Sequence, residues 1–167
     1  MHPQLELVRA ELNSAIDSLS AADAERAVEG RWSIANVLEH LDLTFSRNAA
    51  GLERRIAKGD APARRRTLKQ AAIRFLIVTL GYFPEGRKSP EMVVPKGRPY
   101  SDVVKDIQSH LEELDRVMAE GERALGATGA VLDHPVIGPF SIDDWRTFHV
   151  VHTRHHVKHI KARRIGA

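Results

Sequence analysis

Five of the nine histidines in this sequence, His149, His152, His155, His156 and His159, fall within one stretch of eleven residues. An imidazole can move a proton near neutral pH or bind a metal, so what matters is which of these rings can act together. At about 100° per residue, His152 and His156 project within roughly 40° of one another on the face that Trp145 and Phe148 share. Arg154, Lys158 and Lys161 fall opposite or to the side. Two histidines at i and i+4 can both reach one cation at about 2.0–2.1 Å. His155 and His159 form a second pair with the same spacing, and only the apolar face favours the first. The plain alternative is a set of half-buried rings bonded to backbone or carboxylates. Five rings on one helix facing a core argue for a cation, because neutral imidazoles in apolar surroundings each need a partner and one ion serves several.

Such rings need a scaffold. Pro3 followed by Leu5, Val8, Leu12, Ala15, Ile16 and Leu19 predicts an amphipathic helix from near Pro3 to near Leu19. Ser33 is placed to cap a second, long helix whose stripe is Ile34, Val37, Leu38, Leu41, Phe45, Leu52 and Ile56, ended by Gly59-Asp60-Ala61-Pro62. Thr67 to Leu80 predicts a third, apolar nearly all round from Ala71 except at Arg74, hence buried on several sides or used at a subunit interface. Tyr82 to Tyr100 holds Pro84, Pro90, Pro95, Pro99, Gly86 and Gly97 and reads as a long loop. It is expected to border the mouth of the site, with Arg87, Lys88, Lys96 or Arg98 available to an anionic group. Val104, Ile107, Leu111, Leu114 and Met118 predict a further helix that fades over Gly121 to Gly126. A turn over 133–140 then leads to Ser141 and Asp144, a capping pair that opens the last helix, which runs to about Arg164. No stretch alternates with period two, so the expected fold is all-α: one domain over 1–167, a four-helix bundle with an additional short apolar helix and a long Pro-rich loop.

Composition narrows the chemistry. The 167 residues include no cysteine, which excludes disulfides, thiolate ligands and cysteine nucleophiles and leaves histidine as the soft ligand. A formal charge of +3 is mildly basic and 5% aromatic residues is sparse for a base-stacking surface. Arg54, Arg55 and Lys58, Arg64-Arg65-Arg66 with Lys69, and Arg163-Arg164 keep a basic-surface, nucleic-acid-associated protein as a competing class, although no nucleic-acid motif accompanies them. Ala71 to Phe83 is too short to span a bilayer, and Glu6, Arg9 and Glu11 stand where a signal peptide needs an apolar run, so a cytoplasmic protein is expected. The spare apolar face of the same segment predicts a homodimer.

The third ligand is not dictated by spacing: His40 lies beside Val37 and Thr44 at the edge of its stripe. Trp32-Ser33 followed by Glu39-His40-Leu41, then Gly138-Pro139-Phe140-Ser141, Trp145, and His152-Thr153-Arg154-His155-His156 with Ile160 form an ordered set covering most of the chain. In these residues the sequence resembles the DinB/YfiT-like superfamily of metal-binding four-helix bundles, and within it the branch known as DUF1569. The resemblance implies that His40, His152 and His156 bind one divalent metal, zinc or nickel above others. His159 stands where such proteins often carry glutamine, which leaves it a fourth ligand or a group behind the ligands. His149, one turn before His152, either bonds a water on the metal or only packs. Glu39 is expected to face solvent and Asp144 to cap its helix, so no general acid or base is assigned and the catalytic residues stay unknown. Three neutral imidazoles leave the metal's charge on open positions, as in catalytic sites, where water can be acidified towards a pKa of about 7, a thiol held as thiolate or a carbonyl polarised. The resemblance implies thiol S-transfer with a low-molecular-weight thiol as cosubstrate, isomerisation, or amide or ester hydrolysis of a small molecule. A non-catalytic bundle that keeps its metal for stability or sensing is the alternative.

Overall fold

The computed structural model describes residues 1–59, 65–83 and 88–165. Its elements in chain order are α1 (Pro3–Ile16), α2 (Ala21–Glu25), α3 (Ile34–Lys58), α4 (Leu68–Arg74), α5 (Tyr100–Leu125), a hairpin of β1 (Leu132–His134) and β2 (Gly138–Phe140), and α6 (Ile142–Ile165). The four long helices close a ring in which α3 packs along α5 and α1 along α6, with α3 also against α6 and α1 against α5. The fold is the expected all-α bundle.

The stripes read from the sequence are the core. Leu5, Val8, Leu12 and Ala15 of α1 are buried against Ile107, Leu111, Leu114 and Met118 of α5 and Leu38, Leu41, Phe45 and Leu52 of α3 in one apolar cluster. In the first turn of α5 the buried valine is Val103, and Val104 is only half-buried. Both border the stripe, and the way α5 lies against its neighbours selects the first. Ser33 caps α3 by accepting from the Asn36 N–H at 3.1 Å, and Gly59 ends it in a left-handed conformation at φ 67°.

Three expectations need correction. The first helix ends at Ile16 rather than near Leu19, because Ser18 turns the chain at φ 56° and Ser20 caps the short α2. The third helix is α-helical only to Arg74. From Phe75 to Thr79 it widens into a π-helical turn, with Ile77 buried while Phe75 and Leu80 stay exposed. The turn over 133–140 is a two-stranded antiparallel hairpin pairing Leu132 with Phe140 and His134 with Gly138. Strands of three residues carry too few positions for period-two alternation to register. Gly138 stands at φ +84°, a conformation that strains any other residue, and a Cβ there would lie 2.6 Å from the end of the Gln70 side chain, which would have to move.

The long segment before α5 is anchored. A 3₁₀ turn over Glu91–Val93 lies against α3, and Asp60 to Arg64 and Pro84 to Arg87 lie outside the described residues. Among the described residues no helix is long and apolar enough to cross a membrane.

Candidate metal centre

His40 is on the second turn of α3, and His152 and His156 are one turn apart on α6. The packing of these helices sets the His40 Nε2 3.2 Å from the His152 Nε2, with the His156 Nε2 3.0 Å from that same nitrogen. Ligand atoms of all three lie within 4.8 Å of one another. His40 and His152 are buried and His156 is half-buried. Four nitrogens ligating one ion tetrahedrally at the usual bond length would stand about 3.4 Å apart, close to what is seen.

Proton bookkeeping shows why this cluster is incomplete as protein alone. The Val93 carbonyl lies 2.8 Å from the His40 Nδ1 and can only accept, so that nitrogen carries the hydrogen and a neutral His40 presents a bare lone pair at Nε2. A hydrogen on the His152 Nε2 can point well at only one of its two neighbours. The His152 Nδ1 is buried without a partner. Burial first, and the other rings second, push the His152 pKa well below its ordinary value, and His156 is held down to about 2 for the same reasons. Burial lowers His40 as well, against the Val93 bond that raises it. Protonation is therefore not how the crowded lone pairs are relieved. The residues fit a cation: three neutral imidazoles, aimed at one point, could hold one divalent ion.

The ring orientations are fixed from behind. Phe148 stacks on His152 at 5.1 Å between centroids and 16° between planes, and Phe83 lies 5.2 Å from the same ring. Trp32 packs on His40 at 5.2 Å. The Val93 carbonyl selects the His40 tautomer, the arrangement metal-ligating histidines usually show.

A family model of the DinB superfamily matches residues 4–160. The chain belongs to the DinB superfamily. No curated protein matches it significantly, and neither does any solved structure.

In this DinB protein the three histidines open on a cavity of about 480 Å³ with a largely apolar wall. Ile77, Phe83, Met92, Val93, Leu132 and Phe148 are among its lining residues, so the π-helical turn, the Pro-rich segment and the hairpin all contribute. Of the four cations offered by that segment, Lys88 lines the cavity. Arg98 is committed to Asp42, at 3.0 Å, and to Asp106. Lys96 is held through its backbone N–H to Glu39, and Arg87 lies outside the described residues.

His155 packs on His156 at 5.2 Å and lines the same cavity, whereas His149 and His159 lie apart from the three-histidine cluster. His149 is wholly buried among Phe45, Trp145 and Phe148, and its Nε2 meets the Asn48 amide at 3.1 Å. It packs and does not line the cavity. His159 packs on His155 at 4.7 Å and lines a second, more open cavity beside Arg31 and Arg163, outside the three-histidine cluster.

Glu39 is not solvent-facing. It is 1% exposed, and its carboxylate accepts the backbone N–H groups of Lys96, Gly97 and Arg98 at 2.9, 2.9 and 3.1 Å. The divergence of adjacent helical residues does send Glu39 away from His40, but the Pro-rich segment returns there and covers it. Asp144 caps α6 as expected, exchanging bonds with Ser141, and also holds Arg66 and Arg74. Arg66 of the basic run is thus bound to the fold. The residue missed altogether is His134, on the cavity wall; nothing in its spacing linked it to the cluster on α6.

Proposed function

We propose that this protein is a metal-dependent enzyme in which His40, His152 and His156 hold one divalent ion, Zn²⁺ or Ni²⁺, for thiol S-transfer to, or hydrolysis of, a small molecule. One observation carries the reading: three imidazole nitrogens with unbalanced lone pairs meet at the wall of an apolar cavity large enough for a ligand. When bound, the ion supplies Lewis-acid chemistry, lowering the pKa of water or a thiol and polarising a carbonyl.

The chain's own residues do the remainder. Val93 keeps the His40 proton on Nδ1 and so keeps Nε2 available. Phe83 and Phe148 hold the His152 ring and exclude water around it, which strengthens electrostatic interactions in the cavity. Glu39 pins the strap from which Val93 reaches His40. Among the described residues no carboxylate joins the three nitrogens, so the ligand set itself is neutral, while Asp133, Arg47, Arg54 and Lys88 place charges along the cavity wall.

The test is metal analysis of untagged protein, followed by a thiol-transfer and esterase screen before and after chelation. One equivalent of metal is expected in the wild type and in His155→Ala, none in His152→Ala, and turnover that disappears on chelation. Metal retained in His152→Ala, or lost equally from both variants, would overturn the ligand set. A thermal midpoint that drops on chelation without turnover on any substrate would overturn the enzymatic half and leave a metal that only stabilises the bundle.

A further inference from the structure

His134 closes β1 at the wall of the same cavity, outside the three-histidine cluster. Its Nδ1 accepts the backbone N–H groups of Val136 and Ile137 at 3.2 and 3.3 Å, so the ring caps the hairpin turn as an acceptor. A ring nitrogen that accepts carries no hydrogen, and in a neutral imidazole the hydrogen must then be on Nε2. Nothing among the described residues bonds that Nε2, and it is not among the buried polar atoms left without a partner, so it is open. The ring is wedged between Phe140, Trp145 and Phe148 at 5.8, 5.7 and 5.0 Å. Phe148 touches both His134 and His152, so the open N–H is one phenyl ring away from the metal ligands.

We propose that His134 is a substrate-binding residue whose fixed Nε2–H donates to the oxygen of an apolar carbonyl compound, an ester, thioester or amide, seated in the cavity. The inference rests on the reading that this cavity is the substrate site. Burial holds the His134 pKa down to about 4, so the ring is neutral at pH 7 and offers a donor without a charge. A neutral donor among aromatic walls favours an oxygen acceptor on an apolar body and gives nothing to an ammonium. The turn's two N–H groups lock the ring, so the donor is in place before the ligand arrives.

The experiment is long-range ¹H–¹⁵N NMR of the zinc-loaded full chain at pH 7, with hexanamide as probe and hexylamine as control. The His134 Nδ1 is expected to resonate as a bare nitrogen and Nε2 as N–H. Hexanamide should move the His134 Nε2 resonance, whereas hexylamine should not. His134→Asn keeps a δ1 acceptor for the turn and removes the donor; it should keep its thermal midpoint and zinc content and bind hexanamide at least tenfold more weakly. His134→Phe, which keeps a ring, should show the same loss. A hydrogen on Nδ1, no hexanamide binding in the cavity, or unchanged affinity in both variants overturns the proposal. Zinc content read on the same samples separates the two ideas. Failure to take up zinc with the His134 results intact sinks the metal site alone.

Discussion

Glu39 and His40 are neighbours on α3, both almost wholly buried, and they belong to polar clusters of opposite kinds. Around Glu39 and Asp42 every acceptor has its donor. Three backbone N–H groups serve Glu39, and Arg98 at 3.0 Å and His110 at 2.5 Å serve Asp42. Around His40 the groups face one another: lone pairs crowd on a shared nitrogen, and the His152 Nδ1 has no partner. The first cluster is complete and fastens the Pro-rich segment to the bundle. The second keeps lone pairs that no hydrogen meets, and a divalent ion would satisfy them. Burial alone does not separate structural from functional polar groups. Unspent bonding capacity does so only where several such groups converge, since the His149 Nδ1 is also buried without a partner and stands alone.

The contrast is sharpest under mutation. Glu39→Gln leaves a buried amide group facing backbone donors that a carboxylate had served, and should cost about 2–3 kcal/mol in denaturant unfolding of the metal-free protein. The strap bearing Val93 would loosen, so metal affinity should fall by about tenfold with stoichiometry still at one. His152→Leu should behave inversely: metal binding gone, metal-free stability held or raised, since an orphaned buried nitrogen leaves with the ring. If both variants lost stability equally, the distinction between complete and incomplete clusters would be wrong.

Acid should act on the histidine cluster and its neighbours in a known direction. Burial first holds His134 down to about 4 and His149 to about 3, from an ordinary 6.5, with His134 adding to the effect on His149. Below pH 6.5 the unfolded chain takes up protons that the folded chain refuses, so stability present above that pH drains away as pH falls towards the folded values. The thermal midpoint of metal-free protein should therefore decline from pH 6.5 to 4. Metal-loaded protein should decline more steeply, because protons compete for the ligands. A midpoint unchanged between pH 7 and 4.5 would contradict the burial of neutral rings.

What the sequence disclosed follows the same division. Helix stripes such as Leu5, Val8, Leu12 and Ala15 were legible because each depends on local periodicity. The His152 and His156 pair was legible for that reason too, while His40 needed the resemblance, since its position at the stripe's edge fits either orientation. Glu39 and His134 were opaque because their roles come from chain that returns from far away or from a turn too short to show a period. Gly138 joins them: Gly138→Ala should cost about 1–2 kcal/mol, from the left-handed backbone and the contact with Gln70, read in the same unfolding assay.

The smallest effect is expected at His159, which the sequence offered as a fourth ligand or supporting group. The ring packs edge-on against His155, on the side of α6 that faces the second cavity, and no nitrogen of it joins the three-histidine cluster. His156 lines both cavities, so His159 lies beyond His156 rather than within the three-histidine cluster. His159→Ala should therefore keep one equivalent of metal and change stability by no more than about 0.5 kcal/mol, the range of ordinary surface substitutions. Loss of metal in this variant, measured beside His155→Ala, would move the centre outward along α6 and make the second cavity the site.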